Sequence, residues 1–180
     1  LDVSTLTVDK AEQKILKDFR ERKVAFQEDG ATVYETTLEN LGYDLNEAAL
    51  KTQLTELQKT REANRKLFAT QVDQKIPYEI QKNEDQEKAS LQESNFGDKE
   101  RTASVDAAIQ YNEDQKKFTL ISDVQGNQID ESRLLAYVDQ SLESLFPSQL
   151  LGGEIKLAMG NDVYQQPSVN CLLYTSDAAD

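Results

Sequence analysis

One short pattern occurs twice in this chain and limits what it can fold into. LGYDLNEAAL at 41–50 matches QGNQIDESRL at 125–134, with every matched position 84 residues apart. The matched residues are Gly42 and Gly126, Leu45 and Ile129, Asn46 and Asp130, Glu47 and Glu131, and Leu50 and Leu134. Glycine permits a tight backbone turn, and an Asx side chain caps the first turn of a helix. The pattern therefore predicts a strand, a turn and a capped helix, used twice.

A hairpin pattern precedes each copy. In the first half, Val24 and Phe26 alternate with polar residues, Glu28, Asp29 and Gly30 form the turn, and Val33 begins the second strand. A helix is predicted before this hairpin, capped by Thr7, with Asp9 in its first turn. Its apolar face consists of Ala11, Ile15, Leu16 and Phe19. After Asn46, Leu50, Leu54 and Leu57 mark another helix, and Pro77 ends any helix before it.

The second half shows the same order more clearly. Alternating apolar residues predict a hairpin, and a continuous apolar stripe predicts a helix capped by Asp130. The hairpin residues are Ala107, Ile109, Tyr111, Phe118 and Leu120, and the stripe is Leu134, Leu135, Val138, Leu142 and Leu145. We predict an α+β fold of two related hairpin-plus-helix units, whose antiparallel sheets pack one face against helices. The units are 1–97 and 98–170.

Composition excludes several classes of function. The net charge is −13 and the pI about 4.5, which argues against nucleic acid or an anionic membrane surface as a partner. No apolar run approaches the ~20 residues of a membrane span, and no signal peptide is visible. The first residue is not methionine, so we expect the natural N-terminus to lie upstream.

Residues able to carry out catalysis are scarce. The chain has no histidine, which excludes the commonest general base and zinc ligand. Two acidic pairs, Glu28-Asp29 and Glu113-Asp114, lie at hairpin tips, where turn formation and solvation account for them. No stretch has the spacing of a calcium loop. We therefore predict no catalytic residue, no metal site and no cofactor.

Three tyrosines are candidate ligand-binding residues, because an aromatic ring can stack on a sugar. They are Tyr34, Tyr111 and Tyr164. Tyr34 and Tyr111 fall in predicted strands, where packing against neighbouring side chains is the commoner role.

The second half resembles the peptidoglycan-binding module that precedes the catalytic domain in bacterial L,D-transpeptidases. The resemblance rests on Asp106-Ala107 near a first strand, Phe118 in a second strand, Gly126, and Asp130 before a helix. The opening VSTLT is similar to that family's V-S-G-L-T, with Thr5 in place of glycine, and Tyr164 and Pro167 match its closing segment. The module also occurs in vancomycin B-type resistance W-like proteins.

The last ten residues, 171–180, are of a different kind. CLLYTSDAAD back-translates, codon for codon, to the end of a sequencing adapter used with a transposase, so we interpret it as translated adapter. It contains Cys171, the one cysteine of the chain, which is therefore not a candidate nucleophile.

The resemblance implies a non-catalytic module outside the cytoplasm, on the cell membrane or in the cell wall, reached through an N-terminal anchor missing from this sequence. Its partners would be peptidoglycan and a downstream catalytic domain. Two alternatives stay open. The chain is a structural spacer without a ligand, or it completes the active site of a neighbouring enzyme domain.

Overall fold

The computed structural model describes residues 3, 5–65, 78–94, 96, 100–147 and 151–170. Four helices and seven strands lie in these ranges, so the predicted α+β class is confirmed. In chain order they are α1 Val8–Arg20, β1 Lys23–Glu28, β2 Ala31–Thr37, β3 Tyr43–Leu45, α2 Glu47–Arg65, β4 Ile80–Lys82, α3 Glu84–Glu93, β5 Ala108–Asn112, β6 Lys117–Ile121, α4 Glu131–Leu145 and β7 Ile155–Ala158. The predicted helix stop at Pro77 and the adapter-like tail lie outside the described residues.

The strands form three small sheets, with orders β2-β1-β7, β3-β4 and β5-β6. Both predicted hairpins, β1–β2 and β5–β6, are present and antiparallel. We did not expect the pairing of β7 with β1, which is parallel. Most of the chain, rather than a hairpin turn, separates β1 from β7, and so long a connection allows parallel alignment. β7 thus joins the second half of the chain to the first.

The first hairpin and helix α1 form as the sequence predicts. Asp29 and Gly30 make a two-residue turn with φ of 52° and 81°, the left-handed conformations that such a turn needs. All four predicted apolar residues of α1 are buried. Thr7 occupies the N-cap position, but its side chain makes no capping hydrogen bond.

The predicted strand, turn and capped helix are present in both halves of the chain, and the two helix caps have the same geometry. The amide of Ala49 donates to Asn46 Oδ1 at 3.1 Å, and that of Arg133 donates to Asp130 Oδ1 at 3.0 Å. The residue before each cap, Leu45 or Ile129, pairs antiparallel with a residue 35 positions further along the chain. The caps predicted at Asn46 and Asp130 are confirmed, and the correspondence extends to the antiparallel pairing partner that follows each helix.

The two matched glycines serve different ends. Gly42 has φ of +80°, and a Cβ there would lie 2.6 Å from the carbonyl oxygen of Asn83. Gly126 lacks the left-handed conformation, but a Cβ there would overlap the backbone of 102–104. One glycine is needed for its backbone angles and for space, whereas the other is needed for close approach alone.

One apolar cluster contains side chains from both sides of the predicted boundary at 97. Phe19, Phe26 and Leu45 from the first segment share it with Val138, Leu142 and Leu157 from the second. The division at 97 remains a prediction about repeated sequence units. Packing of the described residues does not separate the two units.

Candidate contact surfaces

The structure places the three candidate tyrosines in different surroundings. Tyr34 is half-buried in β2, where its ring packs against Phe26 and Phe96. Tyr164 is only 9% exposed, and its hydroxyl donates to Glu28 Oε1. Burial, together with this hydrogen bond, raises the pKa of Tyr164 to about 12. Tyr111 is 49% exposed, so it is the one of the three that solvent reaches readily.

Tyr111 belongs to an apolar face of the second hairpin, which we call the open hairpin face. Its cross-strand pairs are Ile109 with Leu120 and Tyr111 with Phe118, and at its base Val105 pairs with Val124. Because side chains alternate along a strand, the four residues within β5 and β6 point to one side, and the two valines lie at the base of that face. Their exposed fractions run from 45% for Leu120 to 76% for Phe118.

An exposed apolar face of this kind is unusual on the surface of a soluble protein. Contiguous apolar patches on soluble proteins usually mark sites of contact with another molecule. An isolated two-stranded hairpin is also marginally stable in water. We expected this face to pack against a helix, yet none of the described helices covers it. The alternating sequence pattern indicated which residues share a face, but not that the face is uncovered.

A second surface is an open cleft between α1 and α2, with a volume of about 570 Å³. Charged side chains of both signs line it: Glu12, Lys17, Arg20, Glu21, Glu39, Glu47 and Lys51. Arg20 donates to Asp44 at 2.6 Å and to Glu47 at 2.6 Å, and these hydrogen bonds raise its pKa further above its ordinary value. Lys51 bridges Asp9 at 2.8 Å. The cleft offers donors and acceptors with little net charge.

A buried polar network joins the two halves of the chain. Glu87 in α3, 1% exposed, receives a hydrogen bond from Tyr43 at 3.2 Å and pairs with Lys82 at 3.1 Å. Asp139 in α4 accepts from the same two partners, each at 2.6 Å. Burial raises the pKa of Glu87, and the nearby charge of Asp139 adds to the rise, while Lys82 and Tyr43 oppose it.

A second buried network surrounds Glu28. Arg101 donates to its carboxylate at 3.1 Å and also to the carbonyl oxygen of Asn127 at 2.8 Å, while the hydroxyl of Tyr164 completes the group. From the sequence, Glu28 and Asp29 are expected to be a solvated pair at a hairpin tip. That was wrong for Glu28, which is 3% exposed, and right for Asp29. Glu28 is the last residue of β1, where its side chain faces Arg101 rather than solvent.

Neither network could be predicted from the sequence, because the residues that contact each other lie far apart in the chain. Tyr164 is 136 residues from Glu28, and Asp139 is 96 residues from Tyr43. A charged residue in an otherwise apolar strand position, as at Glu28, was the one available signal.

Within the described ranges, no group of three or more acidic, cysteine or histidine side chains could hold a metal ion. No helix in the same ranges has both the length and the apolar character needed to cross a membrane. Comparison with protein-family models, with curated proteins and with solved structures gives no match.

Proposed function

We propose that this chain is a non-catalytic, extracytoplasmic module that binds, or is positioned on, peptidoglycan upstream of an L,D-transpeptidase catalytic domain. The observation that best supports a non-catalytic role is where the buried carboxylates lie. In the described part of the chain these are Glu28 and Glu87, each held by a cation and a tyrosine hydroxyl, and neither lines the open cleft. The peptidoglycan ligand itself follows from the sequence resemblance.

The cleft between α1 and α2 is the surface we propose for peptidoglycan. This polymer presents sugar hydroxyls and amides, and its stem peptides carry amines and carboxylates. Hydrogen-bonding groups of both signs line the cleft, so it can match such a ligand without a strong field of one sign. Tyr111 can stack on a sugar ring only if no other polypeptide covers the open hairpin face.

The experiment is titration of the isotopically labelled chain with soluble muropeptides, followed by NMR. We expect shifts to concentrate at the cleft, around Gln13, Lys17 and Lys51. Lys17→Ala should weaken binding by roughly two- to tenfold, the range for losing one exposed hydrogen bond worth about 0.5–1.5 kcal/mol. Lys17 is well exposed and pairs only loosely with Glu21, at 3.8 Å, so its loss should leave the fold intact.

Lys156→Ala is the matched control. Lys156 is an exposed lysine on β7 with a similarly loose partner, Glu154 at 3.7 Å, and it does not line the cleft. Equal weakening by both substitutions, or shifts confined to 105–124, would contradict the cleft assignment.

The second candidate is a structural spacer that holds the catalytic domain at a fixed distance and has no ligand. The parallel pairing of β1 with β7 favours it, because this pairing joins both halves of the chain into one body. Absence of any shift at millimolar muropeptide would favour the spacer over the binding module.

A further inference from the structure

We propose that, in the longer protein, the open hairpin face is covered by the polypeptide that follows Asn170. This covering segment would consist of a helix with an aromatic side chain near its end and a strand that pairs with the free edge of β5. The inference rests on the part of the proposed function that makes this chain one piece of a longer protein, and it does not depend on peptidoglycan binding.

The first hairpin shows how such a face is completed. Phe26 and Tyr34 form a cross-strand aromatic pair, with ring centroids 5.7 Å apart. Phe96, just after helix α3, packs edge-on against both rings, at 5.5 Å and 5.6 Å. Helix α3 contributes Leu91 to the same apolar cluster, and Phe26 is fully buried as a result. The cover therefore comes from the segment that follows β4.

The second hairpin repeats the aromatic pair without its cover. Tyr111 and Phe118 are cross-strand partners with ring centroids 5.1 Å apart, and Phe118 lies 84 residues after Tyr34. In the described part of the chain, no third ring packs on them in the way that Phe96 packs on the first pair. Tyr164 corresponds to Ile80 of β4, so the equivalent of α3 and Phe96 would come at and beyond the end of the described residues.

The pairing of the strand edges also indicates a covering segment that follows Asn170. The outer edge of β1 is filled by β7, whose Ile155 and Leu157 are both buried. β5 pairs with β6 alone among the described strands. β7 belongs to the second unit but completes the sheet of the first, so strand donation runs from a following unit back to the preceding one. By this rule, the strand for β5 comes from a unit after the second, by β-strand addition.

A second copy of this chain is a poorer source of a β7-like strand for β5. Its β7 is already held against its own β1 over four residue pairs, Val24–Gln27 with Ile155–Ala158. A copy would have to break this pairing, and expose Ile155 and Leu157, in order to donate the strand.

The path of the chain brings the following residues to the right place. The backbone amides of Ser168 and Val169 donate to Asp106 Oδ1 at 2.6 Å and 3.2 Å, and the amide of Ala107 donates to the carbonyl oxygen of Val169 at 2.9 Å. The chain therefore runs beside the base of the hairpin as it reaches Asn170. The reason for expecting a partner is the exposed apolar face of the second hairpin.

The test is hydrogen–deuterium exchange on the 180-residue chain and on the longer protein read from the intact gene. We expect amides in 105–124 to exchange at least about tenfold more slowly in the longer protein than in the 180-residue chain. Equal exchange in the two proteins would overturn the proposal, as would a gene that ends at Asn170. Protection that appears only in a concentration-dependent dimer of the 180-residue chain would assign the face to a second copy instead. Protection that requires added muropeptides would assign it to the glycan.

Phe118→Ser is the decisive variant and Thr119→Ser its control. Phe118 is 76% exposed and lies outside the buried core, so its substitution should leave the 180-residue chain folded, with at most a small loss from the ring contact to Tyr111. In the longer protein, the same substitution should restore fast exchange over 105–124. Thr119 is the next residue of β6 and points to the opposite face, so Thr119→Ser should change neither protein. No effect of Phe118→Ser in the longer protein would contradict the proposal, even if the muropeptide titration succeeds.

Discussion

At the scale of single residues, a helix cap gives the most direct test of the repeat. Asp130 holds the amide of Arg133 at 3.0 Å and opens a helix whose stripe lies in the core. We expect Asp130→Ala to lower the free energy of unfolding by about 1 kcal/mol, because one amide of the first turn loses its partner. Urea unfolding measures this loss. Asp130→Asn keeps the acceptor oxygen and should recover most of it, and an equal loss in both variants would argue against the capping role.

The buried carboxyl of Glu87 predicts a dependence of stability on pH. Burial raises its pKa above the ordinary 4.5. A raised folded-state pKa means that the contribution of this group is fully present below about pH 4.5 and is lost as the pH rises through the raised value. Glu87→Gln, which cannot ionise, should therefore gain stability relative to the natural protein between pH 4 and pH 7.

Urea unfolding at both pH values measures that difference. Glu84→Gln, which removes one charge from the exposed first turn of the same helix, is the control substitution. A difference between Glu87→Gln and the natural protein that does not change with pH would contradict the prediction.

Residues whose role is local could be predicted from the sequence. Asn46 and Asp130 cap helices, and Asp29 and Gly30 turn a hairpin, because each acts on a backbone within three positions of itself. The partners of Glu28 and Glu87 could not be predicted. Their burial depends on Arg101, Tyr164, Lys82 and Asp139, which only the assembled fold brings together.

At the scale of elements, helix α4 and the second hairpin show the same kind of apolar pattern but differ in burial. Leu142 of α4 is fully buried, whereas Leu120 of β6 is 45% exposed. We expect Leu142→Ala to cost about 2–5 kcal/mol, through lost burial and the cavity left behind. Leu120→Ala should cost well under about 1 kcal/mol in the 180-residue chain. Similar costs for the two substitutions, measured by urea unfolding, would mean that the hairpin face is covered in this chain.

This contrast shows where prediction of elements reaches its limit. The alternation of Ile109, Tyr111, Phe118 and Leu120 correctly indicated a hairpin with one apolar face. Alternating apolar residues indicate that one face of a hairpin is apolar, but they do not indicate which segment of the protein packs against that face. Of the tyrosines proposed from the sequence as ligand contacts, Tyr111 is the readily exposed one, and its role stays a prediction. The cleft could not be predicted, because its lining comes from α1, α2 and the turn at Glu39.

At the scale of the whole molecule, the two predicted units are expected to unfold together. β7 completes the sheet of the first unit, and both buried networks cross the boundary at 97. Hydrogen exchange with rising urea should give one midpoint for peptides from 1–97 and from 98–170. Two separate midpoints would show that the units are independent in stability.

We propose that the chain contacts peptidoglycan without catalysing a reaction on it. The most direct measurement is co-sedimentation of the chain, ended at Asn170, with sacculi stripped of teichoic acid, at low and high salt. The chain is acidic, and its cleft carries charges of both signs, so steering towards an anionic wall contributes little to binding. We predict weak retention that changes little with salt and releases no cleaved or cross-linked muropeptide. Retention that vanishes at high salt, or no retention at either salt, would contradict the account.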